Sequence, residues 1–263
     1  MGMRNGRWLP SALSLALAVA APAARADVWD VQTQNDNTPA TENELVQGAD
    51  QLHDLGALPG PTADEDWFRL RQRAFASYEV VVEATSGDIG PSLGLDRVAA
   101  DGSTVLQTSV PGGLGFSRSL RFMNSAAAAV TGELIRVRSG QCTTGCGPDD
   151  IYRLRFSETT YAIPRFNNAG GSATVLMLQN PTDYTISGAI YFWNTPGVLI
   201  ATMAFTLAPR QLFVLNTQLM APGVSGSMTI AHDGSYGDLT GRAVAMDPST
   251  GLSFDHPMVP RLR

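Results

Sequence analysis

The chain has 263 residues, with 18 basic and 24 acidic side chains and a formal charge of −6, and every basic residue is an arginine. An acidic chain lacks the cationic footprint that a phosphate backbone requires, so nucleic-acid binding is not expected. The absence of lysine also excludes Schiff-base chemistry and a lysine general base.

In chain order, the first element is "MGMRNGRWLPSALSLALAVAAPAARA". Arg4 and Arg7 precede an apolar run from Leu9 to Ala20, and small residues lead to Ala26. This pattern predicts a secretory signal peptide over residues 1–26, cleaved after Ala26. The run is short for a spanning helix, and no later run approaches the roughly 20 apolar residues that one needs. The expected product is therefore secreted or periplasmic, with no transmembrane segment in the mature chain. Cleavage removes three arginines and leaves fifteen against twenty-four acids, a charge of −9. Residues 27–42 are polar and rich in Asn and Thr, which predicts a flexible leader.

Strands are then signalled by period-2 alternation bounded by Gly, Pro, Asn and Asp. In "DWFRLRQR", Phe68 and Leu70 alternate with Arg69, Arg71 and Arg73. In "SYEVVVEA", Tyr78, Val80 and Val82 alternate with Glu79 and Glu83. "LIRVRS" and "DIYRLRFS" repeat the rhythm with Arg136, Arg138, Arg153 and Arg155. One apolar and one charged face suit a half-buried antiparallel sheet. "NSAAAAVTGEL" has room for one helical turn, but its alanines offer little core area. Arg69, Arg71, Arg136, Arg138, Arg153 and Arg155 should project outward. They form a candidate binding face for carboxylate- or sulfate-bearing polymers; cross-strand pairing with acids such as Glu79 and Glu83 is the plainer use of the same residues.

Cys142 and Cys146 share the loop "RSGQCTTGCGPDD". In an exported chain they are expected to form a local disulfide, worth about 2 kcal/mol at most for so small a ring. The three histidines, His53, His232 and His256, show no H-x-H or H-E-x-x-H spacing, which argues against structural zinc. Asp64, Asp66, Asp149 and Asp150 lie at two strand starts and are the calcium candidates, although the regular EF-hand loop is missing. No other cofactor is indicated.

"GPSLG" at residues 90–94 matches the G-x-S-x-G pattern of serine esterases. A nucleophile elbow needs a strand before the serine and a helix after it, whereas "LGLDRVAADGSTV" after Ser92 reads as strand, turn and strand. The adjacent pairs His232-Asp233 and Asp255-His256 do not make dyads, because neighbouring strand residues point to opposite faces. Catalytic residues are therefore expected to be absent, and the chain is read as a non-enzyme.

Charge divides the mature chain. Residues 27–158 hold nineteen acids and ten arginines, whereas residues 159–263 hold five of each. This predicts an all-β protein of two consecutive antiparallel β-sandwich domains, residues 43–158 and 159–263. In the second, Asn180-Pro181, Asn194-Thr-Pro196 and Asp233-Gly234 punctuate the strands.

The ordered motifs of residues 43–158 are the D-x-D-W-F strand start, the Tyr-Glu-Val strand, "PSLGLDRVAADGSTV" and the closing "DIYRLRF". This stretch resembles the bacterial pre-peptidase C-terminal domain. The resemblance implies a small jelly-roll-like sandwich of the kind appended to secreted peptidases and other exported proteins, some of which bind calcium. No peptidase domain precedes it in this sequence. Residues 160–263 resemble the immunoglobulin-like modules of bacterial surface and secreted proteins. Together these readings predict an exported binding or accessory protein for a polymer, a cell surface or a partner protein. A small hydrolase with an unrecognised site is the alternative.

Overall fold

The computed structural model describes residues 36–56, 64–111, 117–140, 146–147 and 149–261. Residues 1–26, most of the leader and Cys142 lie outside the described residues, and with them the expected signal peptide and the Cys142 end of the expected disulfide. Cys146 packs, partly buried, against the first core.

The fold is all-β. Nine strands precede Thr159: β1 (Asp50–Asp54), β2 (Glu65–Arg69), β3 (Ala76–Ala84), β4 (Leu93–Val98), β5 (Val105–Thr108), β6 (Val110–Pro111), β7 (Ser117–Asn124), β8 (Leu134–Ser139) and β9 (Ile151–Glu158). Nine follow: β10 (Tyr161–Asn167), β11 (Ala173–Gln179), β12 (Ile186–Asn194), β13 (Leu199–Leu207), β14 (Leu212–Asn216), β15 (Ser225–His232), β16 (Thr240–Asp247), β17 (Leu252–Pro257) and β18 (Val259–Pro260). They form four sheets of order β1-β9-β3-β7-β6, β2-β8-β4-β5, β13-β12-β15-β10-β18 and β14-β11-β16-β17, with antiparallel pairing throughout. Among the described residues, no strand of the first set pairs with a strand of the second.

Alternation in the sequence becomes burial. Phe68, Tyr78, Val80, Val82, Leu120, Ile135, Val137 and Leu154 fill the space between the first two sheets. Each large apolar side chain contributes about 1.5–3 kcal/mol by leaving water. Ile163, Phe166, Leu176, Leu178, Ile190, Phe192 and Ile230 do the same between the other two. Residues 125–129 form a loop rather than a helical turn. The Asn124 side chain organises it, donating to Arg73 O and Ala128 O and accepting from Ala126 N–H, a local bonding pattern that competes with helix.

Turn chemistry holds the second sandwich in shape. Asn180 is buried and its amide donates to Tyr184 O, Leu207 O and Ala208 O, while its oxygen accepts from Thr182 N–H. Asn194 accepts from Val198 N–H at 2.8 Å across the β12–β13 turn. In β12, Gly188 is required by close approach, since a Cβ there would lie 2.2 Å from Ala231 O and 2.6 Å from the Phe205 ring.

The two sandwiches meet at a built junction. Phe75 is held at φ 53, a conformation uncommon for a side chain of its size. Its ring lies 4.8 Å from that of Tyr191 and 5.2 Å from that of Trp193. Arg121 stacks over the Tyr184 ring at 4.8 Å. Thr160 Oγ1 accepts from Ser77 N–H at 2.8 Å, and Arg261 donates to Glu158 at 2.5 Å. Of the stretch expected as a leader, residues 36–42 are described. With residues 43–45 they run along the free side of β2, where Asp36 O accepts from Trp67 N–H and Asn43 O accepts from Arg69 N–H.

Candidate functional site

The chemistry most concentrated in the first sandwich lies where β1, β2 and the segment around Asp36 converge. Alternation along β2 sends Asp66 and Phe68 inward, and β1 brings His53 to the same place. The His53 ring lies edge-on to Phe68 at 4.9 Å and stacks on Tyr152 at 5.6 Å. Tyr152 donates its hydroxyl to Asp66, and His53 Nδ1 lies 3.8 Å from Asp36 Oδ2. Asp36, His53 and Asp66 are all buried, and their ligating atoms lie within 4.8 Å of one another. Asp64 is buried as well.

These three residues are the described group that could share one ion. Of the four expected calcium ligands the group holds only Asp66. Asp150 serves its own loop, accepting from Gly147 N–H at 2.7 Å and Asp88 N–H at 3.1 Å, and Asp149 is exposed. Calcium takes six to eight oxygen ligands, and a trio that includes an imidazole does not fit that shell. The site was hidden from sequence spacing because its members come from three separate segments; only the buried acid of "DEDWF" gave a signal.

The arginines fall on two sheets. Arg69 on β2 and Arg136 and Arg138 on β8 belong to one, with Trp67 opposite Arg136 and Glu65 opposite Arg138. Arg153 and Arg155 lie on β9 in the other sheet. The six therefore do not make one continuous face. Arg136 and Arg138 both donate to Asp96 at 2.8 Å, and Arg136 also covers the Trp67 ring. Burial pushes the Asp96 pKa up, but the guanidinium hydrogen bonds outweigh it and hold the carboxyl below its ordinary value. Arg153 and Arg155 approach Glu83 at 3.7 and 3.4 Å. Arg69 donates to Thr41 O at 2.5 Å.

Arg71 and its neighbour Arg73 differ from these. With Glu44, Tyr78, Phe156 and Glu158 they line a groove of about 410 Å³. Arg71 pairs with Glu44 at 2.7 Å and Arg73 with Glu158 at 3.6 Å, yet their side chains remain 68% and 55% exposed.

Ser92 ends a short 3-10 turn (Gly90–Ser92) that leads into β4. A turn before the serine and a strand after it is the reverse of a nucleophile elbow. Its hydroxyl lies 2.5 Å from Ser139 Oγ. His232 is fully buried at the end of β15, whereas the Asp233 carboxylate accepts from Ser187 N–H at 2.7 Å. Asp255 is occupied by Arg242 at 2.9 Å. Neither adjacent pair forms a dyad.

No family model matches the chain, and no curated protein matches it. Among solved structures it is similar to a β-glucuronidase from glycoside hydrolase family 2, at 9% identity and a TM-score of 0.18, over 73% of this chain and 24% of that one. A β-glucuronidase of Bacteroides uniformis gives 10% identity and a TM-score of 0.19, over 73% and 26% of the two chains. A family 2 member from Bacteroides cellulosilyticus gives 12% and 0.21, over 79% and 31%. The chain thus spans less than a third of the length of these proteins. No helix among the described residues is long and apolar enough to cross a membrane.

Proposed function

We propose that the chain is an exported, non-catalytic protein whose first sandwich, a module of the pre-peptidase C-terminal type, binds an anionic polymer or surface. The observation that carries this reading is the groove holding Arg71 and Arg73. Both arginine side chains are largely exposed, and their acid partners also line the groove. An exposed pair such as Arg71–Glu44 is worth about 0–1 kcal/mol, so an incoming carboxylate or sulfate can replace Glu44 at little cost, while Arg73, which meets the buried Glu158 at 3.6 Å, keeps its outer side open to the same group. Planar guanidinium forks grip such groups with two parallel hydrogen bonds. Tyr78 and Phe156 supply the apolar floor.

The test is retention of the mature protein on an anionic polysaccharide column at low salt, beside an Arg71→Ala, Arg73→Ala variant. Retention that salt weakens and the variant loses is the expected result; equal behaviour of the two proteins rejects the groove. In parallel, ester, glycoside and peptide substrates should show no turnover above background. Ester hydrolysis that Ser92→Ala abolishes would overturn the non-catalytic reading. Export is checked by the amino terminus of the mature protein, expected at Asp27.

A further inference from the structure

We propose that the chain forms a two-fold dimer by antiparallel pairing of β13 with β13 of a second copy. Four sheets leave eight edge strands, and seven are short, charged or broken by proline. β1 carries Asp50 and Asp54, β2 carries Glu65, Asp66 and Arg69, and β17 carries Asp255 and Pro257. β6 and β18 are two residues long and each contains a proline. β5 and β14 lack charge but span four and five residues. β13, "LIATMAFTL", is nine residues long with no charge and no proline.

Charge, proline, short length and β-bulges are the ordinary means of keeping an edge from pairing with another chain. β13 has no charge and no proline, and its one register shift, at Ile200 near the turn to β12, leaves Ala201–Leu207 in regular pairing with β12 on one side. Those seven residues present about 23 Å of free backbone edge. Ile200, Thr202, Ala204 and Thr206 on its outer face are all exposed, so no described segment covers that face.

The occupant that fits is a second copy. An antiparallel edge is complementary to itself, since a two-fold axis perpendicular to the sheet brings each donor opposite an acceptor of the mate. The strand brings no charge to the interface, and residues 159–263 carry five acids and five arginines, so the approaching halves do not repel. The partners' β13 strands would join two five-stranded sheets into one of ten.

The test is sedimentation equilibrium of the mature chain over a range of concentrations. A monomer–dimer equilibrium is expected. The exposed double substitution Thr202→Lys, Ala204→Lys places four ammonium groups about the two-fold axis and should weaken dimerisation about tenfold or more. Val214→Lys, on the β14 edge, serves as the control and should leave it unchanged. A near-ultraviolet circular dichroism spectrum matching the parent shows that each variant is folded. A parent that stays monomeric throughout overturns the proposal. So does a dimer that survives the double substitution or is lost only with Val214→Lys.

Discussion

Glu79 and Tyr236 join the two sandwiches: one carboxylate oxygen of Glu79 accepts the Tyr236 backbone N–H at 2.9 Å, and the other accepts Ser119 Oγ at 3.1 Å. Glu79 is thereby buried on the face of β3 that alternation assigns to water. Truncation to alanine leaves a part-buried N–H without its acceptor, which costs about 1–3 kcal/mol. Glu79→Ala should accordingly lower the urea midpoint, and Glu79→Gln, which keeps an acceptor oxygen, should lower it less. Equal losses in the two variants would mean that the charge, not the hydrogen bond, matters here.

Phe75 tests whether the junction couples the two cores. Its ring packs between Tyr191 and Trp193 from a left-handed backbone position. Phe75→Ala removes that contact at a half-buried site and should cost about 2–3 kcal/mol, toward the low end for aromatic truncations. Calorimetry of the parent should show one cooperative transition, and the variant should show two resolved ones. A single transition in both proteins would place the coupling elsewhere in the junction.

His232 should make stability depend on mild acid. Burial pushes its pKa from 6.5 down to about 4, against a smaller opposing contribution from the Thr159 backbone. Nδ1 accepts from Gly234 N–H at 3.1 Å, and the ring stacks on Tyr161 at 5.5 Å. A base whose folded pKa is depressed takes up protons first in the unfolded chain. Stability is therefore full above pH 6.5, falls as pH drops from there, and stops falling on this account near pH 4. The loss amounts to about 3 kcal/mol by linkage. Urea midpoints measured across this range should show the decline in the parent, and it should be largely absent in His232→Asn.

Calcium should leave the melting temperature unchanged. Of the acids at the two strand starts, only Asp66 belongs to the metal-competent group, and that group includes an imidazole. An ion that binds the native state raises its melting temperature by mass action. A saturable rise with calcium, lost in Asp66→Asn, would show that other oxygens complete a shell.

Much of the architecture was legible because alternation reports which side of a strand is apolar. Phe68, Tyr78, Val80, Val82 and Leu154 are buried as their spacing demands. The same rule does not account for the burial of Glu79, or of Trp67, for one physical reason. Alternation distinguishes two faces of a sheet but does not reveal what covers the outer one. Trp67 points away from the main core and is buried by Val98, Leu134 and the Arg136 guanidinium. Glu79 is covered by the second sandwich. The cluster of Asp36, His53 and Asp66 was illegible because the residues share no spacing, only a meeting point created by β1 pairing with β9 and the Asp36 segment lying along β2.

The uneven charge of the two sandwiches gives the molecule a permanent electric dipole. The excess of acids belongs to residues 27–158, and residues 159–263 are balanced. In an external field the molecule therefore feels a torque that orients it before any contact is made, and added salt, by shortening the reach of the field, would randomise that orientation.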